Sequence, residues 1–465
     1  MSVQPRSNSG TRRWPQLVAC AAAMLAIANL QYGWTLFTTP LTASLGTSLP
    51  AVQWAFTLFV ITQTGLFPIN AYLVERSSAR IVVSGASLLV GVGWVGGGLA
   101  SSLAGLYVAY SLAGIGAGAV YSACIGIAMK WFPDRRGLCV GVVAGSYGFG
   151  TALTNIPISN MIEAGGYRSA FIIFGLIQGV VVLIAAQFLS MPPTGWQPAG
   201  WEAIKARVQK RVQQSSRDYT PREMLRSRTF YVLYLMMSLV TFSGVMLTAQ
   251  LTPIGNAYGY NNYIVFDGIT LFGGATLFKG LTALNLTMTL NNVLNGTARP
   301  FFGWVSDQLG RYDTMAAVFV LEAVAITALT LLVHHPIWFI VLSGMTFFAF
   351  GDIYSLFPAA IADIFGPRHA TTNYGIQYTA KGVGSIAAGP FAAMLFLAAG
   401  SWLPVLTAAV VCNIVAAALA VFWLKPLVTR LIKEQSVSPE PPVEATATTV
   451  ETHEAVSEVN AATAD

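Results

Sequence analysis

Residues 104–129 read AGLYVAYSLAGIGAGAVYSACIGIAM, from Ala104 to Met129, without one charged side chain. As an α-helix this run would be roughly 40 Å long, at about 1.5 Å per residue, which exceeds a hydrocarbon core of about 30 Å. Runs of the same kind recur at 15–39, 51–73, 81–101, 137–161, 168–190, 229–257, 281–303, 313–333, 337–361, 371–397 and 401–424. They are continuous rather than alternating, so a β-barrel is excluded. The first is too long for a cleavable signal peptide and is followed by more spans. The expected fold is an all-α membrane protein of twelve transmembrane helices.

Composition agrees. Of 465 residues, 55% are hydrophobic and 9% are charged, against about 25% charged in a soluble domain. A large soluble enzyme, a disordered chain and a nucleic-acid binder are ruled out. Cys20, Cys124, Cys139 and Cys412 lie in apolar stretches with no CxxC spacing, so neither a disulfide framework nor a metal site is expected. No GxxxxGK[ST] loop occurs, and no cofactor is implied. The glycines at 114, 116, 118, 141 and 145 read as packing or hinge positions, because small residues let membrane helices approach closely.

The basic residues orient the chain. Twenty-one of the 25 Lys and Arg lie in the N-terminal tail, the loops on its side, the central loop and the C-terminal segment, against Arg168 and Lys279 on the other side. Both termini and the central loop should face the cytoplasm of an inner (plasma) membrane. The expected organisation is a tail, 1–14; a six-helix bundle, 15–190; a central loop, 191–228; a second six-helix bundle, 229–424; and a disordered acidic tail, 425–465. The loop's basic stretch can form an amphipathic helix against membrane lipid, and nucleic acid is not an expected partner. A polar insert, 258–280, should lie outside, as a lid or an ordered hairpin. His334-His335 reads as a solvated pair in an external loop.

The two halves carry a faint repeat. Gly303-Trp304-Val305-Ser306-Asp307-Gln308-Leu309-Gly310-Arg311 follows span eight. Asn70-Ala71-Tyr72-Leu73-Val74-Glu75-Arg76-Ser77-Ser78-Ala79-Arg80 stands at the equivalent place after span two. An acid there can pair with a base or cap a helix N-terminus and brace an inner gate, which makes Asp307, Arg311, Glu75 and Arg76 gate candidates.

Ionisable groups inside a bilayer are costly and usually face a cavity or a partner. Four fall in the spans: Arg299, Glu322, Asp352 and Lys381. Tyr374, Tyr378 and Lys381 share one helix face, and Asn285, Asn292 and Arg299 recur every seven residues on another. Two buried cations from different helices make an anion site. Arg offers two parallel hydrogen bonds to a carboxylate and Lys a compact charge. A dicarboxylate would neutralise both, whereas an empty site leaves two like charges that resist occlusion, which favours exchange. Asp352 can pair with Lys381 or Arg299, or accept a proton. Glu322 is open between the bundle edge, the external rim and a functional position. Gln31, Tyr32, Gln63, Tyr121 and Tyr147 can supply neutral donors.

Four segments resemble the oxalate/formate antiporter family of the major facilitator superfamily. They are Gln31-Tyr32-Gly33-Trp34-Thr35-Leu36, Trp131-Phe132-Pro133-Asp134-Arg135-Arg136-Gly137, Ala298 to Asp307, and Asn373 to Lys381. The repeated loop is similar to that superfamily's cytoplasmic signature. The resemblance implies two six-helix bundles working by alternating access, with oxalate exchanged for formate. It places the family's substrate-binding cations on Arg299 and Lys381 and its aromatic cage on Tyr32, Tyr121, Tyr147 and Tyr354. Two family tryptophans appear as Phe350 and Tyr378, and a small residue as Asp352.

The expected function is therefore antiport of small carboxylate anions by a monomeric, non-enzymatic carrier. The alternatives are a proton-linked monocarboxylate carrier, suggested by Asp352, and an organic-acid sensor that recruits a partner through its acidic tail.

Overall fold

The computed structural model describes residues 10–193, 196–198, 200, 201, 203, 212, 214–266 and 281–437. The basic stretch at 204–211, the middle of the insert (267–280) and the acidic segment 438–465 lie outside them. The first half comprises α1 (Gly10–Ile27), α2 (Asn29–Tyr32), α3 (Thr35–Leu45), α4 (Leu49–Gly65), α5 (Phe67–Arg76), α6 (Ala79–Leu99), α7 (Leu103–Trp131) and α8 (Arg136–Phe188). A short α9 (Pro221–Leu225) leads to α10 (Arg228–Ala257), α11 (Ala283–Leu309), α12 (Arg311–Leu332), α13 (Pro336–Phe350), α14 (Ile353–Phe365), α15 (Ala370–Ala399), α16 (Leu403–Leu419) and α17 (Lys425–Val437).

Among the described residues, nine helices are long and apolar enough to cross a membrane, and the pair α4–α5, bent by 42°, makes a tenth. With α11 (27 residues) and α15 (30 residues) the chain crosses twelve times. α11 is the polar exception because Asn285, Asn292 and Arg299 line one of its faces. Lipid-facing stripes are apolar: Ile81, Leu88, Val92 and Leu99 of α6 are all exposed. The opposite faces bury aromatic clusters such as Phe37, Trp94, Tyr110 and Phe171.

The breaks inside spans are the part that hydropathy does not show. Span one is interrupted at Ala28 and at Gly33-Trp34, span two at Leu66, and span ten at Gly351-Asp352. Pro68 accounts for the second, since it has no amide to donate to the carbonyl four residues back. Spans five and six are the two arms of α8, divided at Gly166 (φ 79°).

The halves meet along α8 and α11 and along α5 and α15. Small residues make the first seam. A Cβ on Gly145 would lie 2.7 Å from the Gly296 carbonyl oxygen, so no larger residue fits without separating the helices.

The ends differ from the sequence expectations. Residues 425–437, expected in a disordered tail, are helical. Lys425 pairs with Asp313 at 2.7 Å and Val428 is buried, which holds the chain to the bundle beyond the last span. At the insert, β1 (Ile264–Phe266) pairs antiparallel with β2 (Leu281–Thr282), with Ile264 opposite Thr282. Tyr260 donates its hydroxyl to the Val333 carbonyl at 2.6 Å, and the Tyr258 ring meets His334. The insert's base is thus an anchored hairpin, and His334 is packed against it.

Candidate functional site

The breaks of spans one, two and ten all surround one buried polar cluster. Arg299 on α11 is 1% exposed and Lys381 on α15 is 3% exposed. Both cations lie against the Tyr354 ring, at 4.3 Å for the guanidinium carbon and 5.6 Å for Nζ. Such contacts are worth about 0.5–2 kcal/mol each, more when desolvated. The two charges repel one another across this space.

Neutral groups hold both cations. Arg299 donates to the Ala144 carbonyl at 2.6 Å, to Asn295 Oδ1 at 2.7 Å and to the Tyr32 hydroxyl at 3.4 Å. Lys381 donates to Tyr378 Oη at 2.9 Å and to Gln63 Oε1 at 3.5 Å. Gln63 continues to Tyr147 Oη at 3.2 Å, which donates to Gln31 Oε1 at 2.9 Å. A hydrogen-bonded relay therefore joins Lys381 to both broken spans of the first half. Tyr121 packs between Tyr147, edge to face, and Tyr378, tilted. The Phe350 ring lies on Gly244 and meets Tyr354 at 6.2 Å, backing the cage from behind.

The cluster lacks negative charge. Among the described residues no carboxylate pairs with Arg299 or Lys381, while Arg299 Nε and the Tyr121 hydroxyl are buried without partners. Unpaired buried donors cost about 1–3 kcal/mol each, and an anion would satisfy them. Asp352 does not supply that charge. Its carboxylate is fully buried without a hydrogen-bond partner, and it makes no ion pair with either cation. Glu322 is likewise fully buried inside the second half, not at its edge or rim.

The face that carries both described chain ends is closed by three acids. Asp307 accepts from the Gly137 and Leu138 amides at 3.0 and 2.9 Å, capping the first turn of α8 across the seam, and pairs with Arg311 at 2.7 Å. Glu75 does the same in the other direction. It accepts from the Thr371 amide at 3.1 Å and from the Thr372 hydroxyl at the start of α15, and holds Lys130 at 2.7 Å. The repeat thus places one acid per half on a helix N-terminus of the opposite half. Arg76 takes no part in this: it is exposed and stacks on Tyr72 at 5.1 Å, so Lys130 is the partner of Glu75.

The third acid, Asp363, is buried and binds both Arg136 of α8 and Arg311, the latter at 2.8 Å. It lies two residues beyond the expected end of span ten, where an acid reads as ordinary interfacial charge. Only its burial singles it out. The end of the central loop lies over it: the Ser215 amide donates to the Asp363 carbonyl at 2.7 Å and the Tyr219 amide to Phe365 at 2.8 Å. Gly366, at φ 84°, makes room for Asp218 there.

A family model of the major facilitator superfamily matches residues 19–280 and 277–458. An oxalate:formate antiporter of Oxalobacter formigenes is 34% identical over 92% of this chain and 95% of its own length. The chain belongs to the oxalate/formate antiporter family of the major facilitator superfamily. Monocarboxylate transporter 11 of Homo sapiens is 29% identical over 40% of each chain. A solved structure of a proton:xylose symporter, XylE, superposes with a TM-score of 0.68 at 14% identity, covering 89% of this chain and 96% of that one, and so shares the fold. The family fixes the class: a multi-pass membrane transporter of two six-helix bundles, and not an enzyme.

Proposed function

We propose that this carrier exchanges small carboxylates, oxalate against formate, by alternating access around Arg299 and Lys381. One observation carries the reading: two buried cations from different helices share one aromatic ring with no acid beside them. A dicarboxylate would take the free Arg299 Nε and Lys381 Nζ at its two ends, with Tyr32, Tyr121 and Tyr378 as neutral donors. The relative from Oxalobacter formigenes, named for oxalate and formate, supports that substrate class.

Charge explains the coupling. Empty, the site holds two like charges whose occlusion is unfavourable; oxalate cancels both and formate one of them. The loaded carrier therefore crosses more readily, and net movement follows the substrate gradients. Opening to the other side requires Asp307, Glu75 and Asp363 to release their partners. We place this gate and both termini at the cytoplasmic side of an inner membrane, because the basic loops lie there, and take the working unit to be the monomer, since one chain supplies the whole site. The test is counterflow in vesicles preloaded with formate and given labelled oxalate. Uptake should be lost in Arg299→Gln. Equal uptake into formate-loaded and empty vesicles would exclude exchange.

A further inference from the structure

Two of the buried carboxylates among the described residues take no part in the site or the gate. Glu322 on α12 and Asp352 at the α13–α14 joint are fully buried in the second half. Glu322 is near enough for its charge to act on Asp352, and among the described residues neither carboxylate makes an ion pair. Ser243 of α10 donates to Glu322 Oε1 at 3.4 Å and accepts from Asn413 Nδ2 of α16 at 2.8 Å. The other titratable neighbour is Cys412 of α16, on which Glu322 also acts. Arg299 of α11 is engaged elsewhere, with Ala144, Asn295 and Tyr32.

The cluster is short of donors. Glu322 Oε2, both Asp352 oxygens and Asn413 Oδ1 are buried without a partner among the described residues. Two buried carboxylates whose charges act on each other, with oxygens that lack donors, do not both stay ionised in low dielectric. A charge at this depth with no counter-ion is costly. One hydrogen on one carboxyl oxygen removes one charge and supplies a donor. Among the described residues no three His, Cys, Asp or Glu side chains converge to hold a metal ion, and sodium is the rival occupant that the test below separates.

We propose that Glu322 and Asp352 form a proton-binding pair, which loads and unloads one proton as span ten flexes at Gly351-Asp352 during the transport cycle. The transfer is between a carboxyl oxygen and water, so only O–H bonds are made and broken. The joint gives the proton a route to the rest of the machine. The Asp352 carbonyl accepts the Ser355 and Leu356 amides at 2.9 Å and so begins α14. That helix carries Tyr354 against the two cations and Asp363 in the gate.

Proton binding does not depend on which substrate is carried; the coupling rests on the transport reading. Infrared difference spectra of the full chain in lipid nanodiscs near neutral pH test the first. The wild type should show the C=O stretch of a buried protonated carboxyl, lost in the isosteric double variant Glu322→Gln/Asp352→Asn. An identical spectrum in both, or loss of the band on adding sodium at constant pH, would overturn the proposal. A pH dye inside vesicles tests the second. Proton movement should accompany exchange in the wild type and disappear in the double variant while oxalate uptake continues. Exchange without proton movement in the wild type would refute the coupling. No exchange at all would refute the carboxylate reading, leaving the infrared band to decide the proton site.

Discussion

Replacing Asp363 by Asn should open the basic face. The carboxylate binds Arg136 from the first half and Arg311 from the second, and all three side chains are almost completely buried. Removing one partner of such a cluster costs about 3–5 kcal/mol, because the remaining charges stay desolvated. Asn keeps one acceptor, so the lower end, about 3 kcal/mol, applies. The penalty falls on the closed arrangement alone, since Arg136 regains water when the halves part. At about 1.4 kcal/mol per tenfold, the ratio of closed to open shifts by roughly 100-fold. A native reporter sits beside the gate. Cys139, 1% exposed, follows Leu138, whose amide caps on Asp307. Its alkylation by N-ethylmaleimide should accelerate by up to that factor in Asp363→Asn, with Cys139→Ser as the blank. Unchanged labelling would show that Asp363 does not hold the gate shut.

Gly145→Leu should keep α8 and α11 apart, because the Gly296 carbonyl already lies 2.7 Å from the Cβ position; overpacking of about 1–3 kcal/mol should lower the thermal midpoint and impair closure, checked by melting and by Cys139 labelling. Tyr354→Ala should weaken substrate binding about tenfold by removing the ring shared by both cations, whereas Tyr354→Phe, which keeps the ring, should retain most of it in a titration of oxalate protection. At α9, the Thr220 amide and hydroxyl, with Arg217 beside them, hold the Glu223 carboxyl below its usual range. Its folded value lies below the unfolded one, so this cap is complete above about pH 4.3 and is lost as pH falls through the lower folded value; Thr220→Ala should remove about 1 kcal/mol and speed amide exchange in 222–225 about fivefold at neutral pH.

The twelve crossings were legible because a bilayer demands long apolar runs, and 104–129 states that demand without a charge. Arg299 and Lys381 were legible for the converse reason, as charges where charge is costly. Three things were hidden. Helix interruptions at Gly33, Leu66 and Gly351 leave the apolar pattern intact, so nothing in hydropathy placed the broken spans around one site. Which groups meet at such a break is a tertiary matter: Asp352 reads as a partner for Lys381, yet it is buried with neither oxygen paired. Asp363 and Arg136 sit just outside the spans, where charge is ordinary, and only the closure of one half on the other buries them. Glu75 was legible in the degenerate repeat, whereas Arg76 beside it was misread, because a repeat fixes position along a helix but not which neighbour turns inward.

Counterflow in reconstituted vesicles tests the two-cation site most directly. Formate-loaded vesicles carrying the wild type should accumulate labelled oxalate, and Lys381→Gln should abolish this while leaving the melting temperature near that of the wild type. Undiminished oxalate uptake by Lys381→Gln would contradict a site built on Arg299 and Lys381.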